Sequence, residues 1–546
     1  MDESAPANKR QGFWPDRLAY AVLGALGLIA ALTFQDYGLG WDDFTHAQYG
    51  ELLLSLYTSG FHDTRALSFV NLYLYGGGFD MAAALLAKAL PFDLFEIRRL
   101  LGAAVGIAGL AVTWRIGRRM GGPLAGLLAL VLLAVCPLYY GHMFINAKDA
   151  PFAAAMALFL LGLIRLLGEY PRPRPATLLI VGLGFGLSIG SRIMAGFGVV
   201  AAIGALALLF AIEARADGLR AAGRRLARLL LALIPSAVLA YAVMALIWPW
   251  GAVHPLNPIH AIEIFSHFFE KPWRELFNGA LIEPPDMPRS YVPTLLGLKL
   301  PEVLLLIGAC GVLGALFAAF RSEVPPRSRA MYFALALAAV LPVAVTVIGR
   351  PAMYNGVRHF VFMLPPLAIA GGLAGAWIAD RAARFGRPAL AALAIVFAAG
   401  VALPVIGMAR LHPYEYTSFN HIAGGVRGAQ PRFMLDYWGL AFKQAGEALR
   451  TQLAARGETP PAGRRWKIAV CGPHPPAQVA LGDRFEPTWD PNGADFALML
   501  GAFYCARLDA PLLVDIERDG ISFARAYDIR GHTISNLFTS TPVKPD

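Results

Sequence analysis

The stretch Leu18–Phe34 reads LAYAVLGALGLIAALTF, seventeen consecutive residues without a charge. Crossing the ~30 Å hydrocarbon core of a bilayer takes roughly 20 mostly apolar residues in a helix, because every backbone N–H and C=O inside must be paired within the segment. With its immediate flanks the run meets that requirement, and no small-residue cleavage site follows it, so it reads as a signal anchor. The two flanks differ: Lys9, Arg10 and Arg17 precede it, whereas Gln35 to Glu96 after it is long, polar and aromatic.

Runs of the same kind recur down the chain. About eleven spans are expected, approximately Leu18–Phe34, Ile97–Trp114, Pro123–Leu138, Pro151–Leu167, Ala176–Ile189, Ile193–Ile212, Leu229–Ile247, Val303–Phe320, Met331–Ile348, Phe360–Ile378 and Ala389–Met408. Arginines gather at alternate helix ends: Arg115, Arg118 and Arg119; Arg172 and Arg174; Arg220, Arg224, Arg225 and Arg228; Arg321, Arg327 and Arg329; Arg381, Arg384 and Arg387. By the positive-inside rule those ends and the N-terminus are cytoplasmic. Gln35–Glu96, Tyr139–Ala150, the Gly190–Arg192 turn, Trp248–Pro301, Gly349–His359 and Ala409–Asp546 are then outside. Most of the His, Asp, Glu, Tyr, Trp and Asn lie in these outer segments, so any chemistry faces outward.

The totals agree. Of 546 residues, 57% are hydrophobic and 15% charged, and the mean hydropathy is +0.53, values of a membrane protein. The net charge of +10 reflects topology, and a nucleic-acid partner is set aside. Cys136 and Cys310 fall in apolar runs; only Cys471 and Cys505 are candidates to pair. In the first outer segment amphipathic helices are expected in the interface plane, one over Met81–Leu90. Beyond a Pro- and Gly-rich hinge near Gly457–Gly463, the runs Lys467–Cys471, Phe496–Leu500, Leu512–Ile516 and Ile521–Ile529 predict strands, with a hairpin turn at Arg518-Asp519-Gly520. No inverted pair of interrupted helices marks a secondary transporter.

Three outer motifs carry chemistry. Trp41-Asp42-Asp43-Phe44-Thr45-His46-Ala47 sets two adjacent carboxylates just past the first span, suited to a base and its orienting partner. The bland alternative is that Asp42 caps the helix beginning near Phe44. Asn146-Ala147-Lys148-Asp149-Ala150-Pro151 opens a span with ordinary start signals except for Lys148, a cation at the positive end of a helix dipole, which an anion such as phosphate would justify. Arg192, Arg350, Arg358 and His359 are basic residues on the outer face, against the topological bias. Their alternative reading is snorkelling to lipid headgroups. His46, His62, His142, His254, His260 and His267 are outside but show no tight ligand pair, and no nucleotide-binding loop is present.

Together these motifs resemble the GT-C superfamily, in particular bacterial relatives of protein O-mannosyltransferase and of the lipid A aminoarabinose transferase. Residues 41–47 are similar to the family's aromatic-Asp-Glu-x-x-His/Tyr-Ala signature, with Asp43 in place of Glu. Residues 146–151 are similar to its Asn-Pro-Lys-Asp-x-Pro segment, with Ala147 in place of Pro. Arg358-His359-Phe360 with Leu364-Pro365-Pro366 is similar to its Arg-Tyr/His…Leu-Pro segment. His412-Pro413-Tyr414-Glu415-Tyr416 through Asn420, Gly424-Gly425 and Leu435-Asp436-Tyr437-Trp438-Gly439 resemble a stretch of some bacterial members.

The resemblance implies a polytopic α-helical GT-C-like membrane protein: a catalytic transmembrane domain over 1–408 with outer loops 35–96 and 248–301, a linker with a helical segment over 409–463, and a small extracytoplasmic α/β or α+β domain over 464–546. It implies an inverting glycosyltransferase of the bacterial inner membrane, taking a hexose or pentose from a polyprenyl-phosphate donor to a lipid, glycan or protein acceptor. Asp42 and Asp43 would be catalytic, Asp149 and His46 would orient the acceptor, and Lys148, Arg192, Arg358 and His359 would bind the donor phosphate. The resemblance fixes no cofactor, and a divalent metal is left open. The outer loop with His254, Glu263, Trp273 and Arg274 is a candidate lid. A transporter or flippase of lipid-linked sugars is the alternative from another class, and a binding module acting through the outer tail is a third. Ionisable residues are absent from the span centres, which counts against transport.

Overall fold

The apolar runs are helices, and where the sequence changes its period or inserts Pro and Gly the helices end or turn. A computed structural model describes residues 13–266 and 274–539; Lys9, Arg10, His267 and Trp273 lie outside the described residues. Among those described, nine helical stretches are long and apolar enough to cross a membrane, and the 17-residue Pro175–Ser191 is a shorter apolar helix among them. The chain is a multi-pass membrane protein. The sequence reading of about eleven spans includes Pro175–Ser191 and splits one stretch, Leu94–Ala134, in two.

That 41-residue stretch breaks at Gly122, whose φ of 84° is outside the helical region. Glycine tolerates the positive φ and Pro123 restarts the helix, where its missing N–H costs nothing. The two limbs pack back to back: a Cβ on Gly126 would come within 2.8 Å of the Trp114 carbonyl oxygen.

The elements that matter for the site follow in order. Helix α1 (Phe13–Thr33) exits to a loop, then α2 (Asp43–Thr58), α3 (Gly78–Ala87) and α4 (Leu94–Ala134) follow, α4 opening on a capping box between Asp93 and Glu96. After α4 come α5 (Pro137–Ile145), α6 (Asp149–Glu169) and α7 (Pro175–Ser191). The loop after Trp248 holds two short helices, Pro249–Val253 and Asn257–Ser266, and a hairpin of β1 (Glu275–Phe277) and β2 (Ala280–Ile282). Buried Glu275 accepts from the Asn355 N–H at 2.6 Å, fastening the hairpin to the loop before Arg358.

The tail carries a five-stranded sheet, order β4-β3-β5-β7-β6, from β3 (Trp466–Cys471), β4 (Phe485–Thr488), β5 (Phe496–Leu500), β6 (Leu512–Arg518) and β7 (Ile521–Asp528). β3 runs parallel to β4 and β5, and β7 antiparallel to β5 and β6. The expected turn is formed at Asp519 and Gly520, both with positive φ. Strand β4 was not among the expected strands: four residues with Pro487 among them give too short an alternation to read. Cys471 and Cys505 form a disulfide.

The tail does not stand apart. Tyr416, Tyr437 and Trp438 share one continuous core with Tyr139, Phe144 and Phe360 of the membrane portion. Gly141 permits a close approach, since a Cβ there would meet the Tyr416 backbone nitrogen at 2.5 Å.

Candidate active site

The two neighbouring carboxylates of the first motif part company. Asp43 opens α2, and its carboxylate is wholly engaged: Arg99 donates at 3.1 and 2.6 Å, and the Gly40 N–H at 2.8 Å. Asp42 occupies the N-cap position yet makes no capping hydrogen bond, so the capping alternative fails on geometry. Its side chain keeps 44% exposure and lies 3.6 Å from Arg358 Nη1. The expectation of Asp43 as a partner steering Asp42 therefore meets a carboxylate already committed to Arg99, turned into the protein by the tight turn at Gly40.

Asp42, Asp43, His46, Lys148 and Arg358 line one small pocket together with Gly40, Ile145, Asn146, Ala147 and Trp438. Lys148 reaches it from the start of α6. The Asn146 side-chain oxygen accepts from the Lys148 and Asp149 N–H groups at 2.9 and 2.7 Å, capping the helix and leaving Lys148 free to turn inward. Its ammonium sits 4.6 Å above the Tyr75 ring, and the Arg192 guanidinium 5.6 Å from the same ring. Arg192 pairs with Asp149, which also accepts from Asn146 Nδ2 at 2.7 Å. Arg192 and Arg358 are buried, so neither snorkels. Arg350 is exposed, and His359 stacks edge-on against Tyr354 at 5.2 Å, outside the cavity lining.

Charge here is unbalanced. Arg98, Arg99, Lys148, Arg192 and Arg358 face Asp42, Asp43, Asp80 and Asp149, five cations to four carboxylates. The inner pairs are closed: Arg98 binds Asp80 at 2.8 Å and Arg99 binds Asp43 at 2.6 Å, all four buried. The excess positive charge is therefore borne by the Lys148–Arg358 side. Burial lowers the Lys148 ammonium to about 8, with Asp42 opposing and Arg192 and Arg358 reinforcing the drop. Burial acts to raise the Asp42 carboxyl, but Lys148, Arg358 and His46 outweigh it and hold it below the ordinary carboxylate value.

Several participants were given no role in the site from the sequence. Asp80 accepts from His46 Nδ1 at 2.6 Å; the signal was a lone carboxylate at the start of an otherwise apolar helix. Arg98 and Arg99 stand among apolar residues at the head of a span, an expensive position unless paired. Trp438 forms the wall opposite Asp42: Arg358 lies 5.3 Å from its ring, and its carbonyl accepts the Trp41 N–H at 3.1 Å. Next to it, the Tyr437 hydroxyl meets His142 Nε2 at 3.2 Å, and His142 Nδ1 is 3.3 Å from Asn146 Nδ2. A polar chain thus runs from the tail to the Asp149–Arg192 pair. Among the described residues no group of three or more His, Cys, Asp or Glu side chains is disposed to hold a metal ion.

Comparison with known proteins agrees with the motifs. No curated protein matches the sequence. Among solved structures, ArnT from Cupriavidus metallidurans bound to undecaprenyl phosphate is similar at 17% identity and a TM-score of 0.47, covering 94% of this chain and 99% of that one. The Archaeoglobus fulgidus oligosaccharyltransferase in its apo form follows at 14% identity and a TM-score of 0.47, covering 89% of this chain and 66% of that one. Residues 81–248, which hold Arg98, Arg99, Lys148, Asp149 and Arg192, match the family of dolichyl-phosphate-mannose-protein mannosyltransferases, and the resemblance to GT-C glycosyltransferases read from the motifs is thereby borne out.

Proposed function

We propose that the protein is an inverting glycosyltransferase that moves a sugar from a polyprenyl phosphate to an acceptor hydroxyl on the extracytoplasmic face of a bacterial inner membrane. The observation that carries this reading is the juxtaposition of a partly open carboxylate, Asp42, with a cationic side, Lys148 and Arg358, in one cavity. A catalytic base and a phosphate cradle need to lie on either side of an anomeric carbon, and a single carboxylate suffices because no covalent sugar–enzyme intermediate forms.

In the step, the acceptor oxygen attacks the anomeric carbon while Asp42 takes its proton. The bond from that carbon to the phosphate oxygen breaks, and its electron pair leaves on the polyprenyl phosphate. Lys148, Arg192 and Arg358 stabilise the charge that develops there. Asp43 and Arg99 act as a clamp fixing the loop that bears Asp42. Arriving phosphate also competes with Asp42 for Lys148 and Arg358, which relaxes the hold on the carboxylate and makes it a better base when donor is present. An open, mostly apolar groove along α2, lined by Phe44, Ala47, Leu52, Phe69, Leu94 and Phe95, gives the lipid chain a path. The Cys471–Cys505 disulfide supports an oxidising compartment for the tail.

The test is transfer from polyprenyl-phosphate sugars by purified protein in detergent, where no gradient can drive transport. Transfer by the wild-type chain and its loss in Asp42→Asn is the expected result. Wild-type activity in Asp42→Asn sinks the assignment.

A further inference from the structure

The loop between the first span and Asp42 is held from the tail at four places. The Lys443 ammonium donates to the Gln35 carbonyl, His412 Nε2 meets the Asp36 carboxylate at 2.9 Å, the Tyr37 hydroxyl donates to Glu415 Oε1 at 3.1 Å, and the Trp41 N–H donates to the Trp438 carbonyl at 3.1 Å. A Cβ on Gly38 would run into the Leu440 carbonyl oxygen, so loop and tail backbones touch. From the membrane side, Arg99 donates to the Gly38 carbonyl at 2.6 Å with the same guanidinium that clamps Asp43. The backbone on which Asp42 rides is therefore located by the tail together with the membrane helices.

One of these fastenings depends on a proton. His412 directly follows the helix Arg387–Leu411, and both of its ring nitrogens face carboxylates: Nδ1 lies 2.6 Å from Glu415 Oε1 and Nε2 2.9 Å from Asp36 Oδ2. An ionised carboxylate only accepts, and a neutral imidazole has a single N–H. With one hydrogen given to Asp36, the Nδ1–Oε1 contact needs a second, on the ring or shared with Glu415. The other groups around the ring and its carboxylates are Tyr37, edge-on at 5.4 Å, Tyr140 beside Glu415, Arg518, whose Nε donates to the His412 carbonyl at 2.9 Å, and Lys443 on Gln35. Burial acts to lower the His412 value, but Glu415 and Asp36 outweigh it and hold it above the ordinary histidine value. Asp36 is half exposed and Glu415 buried, so solvent reaches the bridge from one side, and loss of its proton leaves a buried carboxylate against a bare ring nitrogen. Resting on the transferase reading above, we infer that His412 is a positioning residue: as the protonated link between Asp36 and Glu415 it pins the Asp42 loop to the tail, and loss of that proton loosens the loop and slows transfer. The pin is fully set below the ordinary histidine value and is released as pH rises through the raised one.

The experiment uses the full-length protein in detergent without donor and follows hydrogen exchange of the backbone amides of residues 37–41, corrected for the intrinsic pH dependence of exchange, in steps upward from about pH 6, below the ordinary histidine value. Wild-type protection is high at the start and falls along one titration curve. In His412→Gln it is already lower by about tenfold or more at the start, the worth of a hydrogen bond to a charged group, and no longer titrates. Asp36→Asn removes one of the two carboxylates and moves the midpoint of the fall to lower pH, a displacement that a merely structural contact would not produce. In sugar transfer, His412→Gln lowers kcat by about tenfold, as a displaced base does, with the KM for the donor within about twofold of wild type. Wild-type protection that is flat with pH, His412→Gln protected like wild type, or an unmoved midpoint in Asp36→Asn overturns the pin whether or not the protein transfers sugar. Exchange that behaves as expected beside an unchanged kcat in His412→Gln overturns its positioning role. Absence of transfer by the wild type removes the transferase reading and with it the positioning role, while the exchange data still decide whether the pin exists.

Discussion

Asp42 and Asp43 are adjacent in sequence and opposite in circumstance. Asp43 lies in a sealed region where Arg99 and the Gly40 N–H occupy its oxygens; beside it, the part-exposed Asp42 carboxylate faces the pocket and pairs more loosely, with Arg358 at 3.6 Å. The sealed region repeats the pattern with Asp80 and Arg98. Closed pairs gain little net stability because desolvation offsets attraction, but removing one partner strands a buried charge. An open pair retains capacity for a ligand. The difference separates a clamp from a reactive surface within one dipeptide.

That contrast can be broken at either end. The largest effect is expected at Asp42: Asp42→Asn should lower transfer by about 10²–10⁴-fold, the worth of a positioned base, with thermal unfolding in detergent unchanged. Next, Arg99→Ala should cost about 3–5 kcal/mol of stability, visible as a lower Tm or loss of folded protein, whereas the equivalent change at Arg358 should leave Tm nearly intact. An unaltered Tm in Arg99→Ala would erase the distinction between the two regions.

Arg358→Ala should instead weaken undecaprenyl phosphate binding by roughly 30-fold or more, the ~2 kcal/mol of a buried charge contact, read by titration. Trp438→Ala, which removes the ring against Arg358, should weaken the same binding about fivefold, near the ~1 kcal/mol of a cation–π contact.

The smallest effect concerns pH. Lys148 has a folded-state value lowered by burial to about 8, and phosphate prefers the protonated form. Affinity should therefore be full below that value and decline several-fold as pH rises through it, with Lys148→Arg flattening the decline because guanidinium stays charged. A titration flat across that window in the wild type would place the cationic pull on Arg358 and Arg192 alone.

Much of the site was legible because its residues break local rules. Lys148 sits at the wrong end of a helix dipole, and Arg192 and Arg358 stand at span ends away from the arginine clusters. Such costs are carried only where something offsets them. Asp80, Trp438 and Tyr437 break no rule: a carboxylate in the first turn of a helix and aromatics in a tail are ordinary, and their importance appears only when distant segments meet. Glycine 122 shows the same limit for the fold, since a Gly-Gly-Pro in an apolar run signals a break but not whether the helix kinks or reverses.

By itself the sequence determined the membrane class, the strands β3 and β5 to β7, and the acidic and basic motifs that follow the first expected span, open the fourth and begin the tenth, because hydropathy, charge and turn chemistry act locally along the chain. Tertiary structure alone decided that Asp43 clamps while Asp42 faces the cavity, that His46 is aimed by Asp80, and that the tail supplies a wall through Trp438. Those outcomes depend on which side chains meet across hundreds of residues, and a carboxylate's pairing is fixed by where its cation comes to rest, which no local pattern encodes.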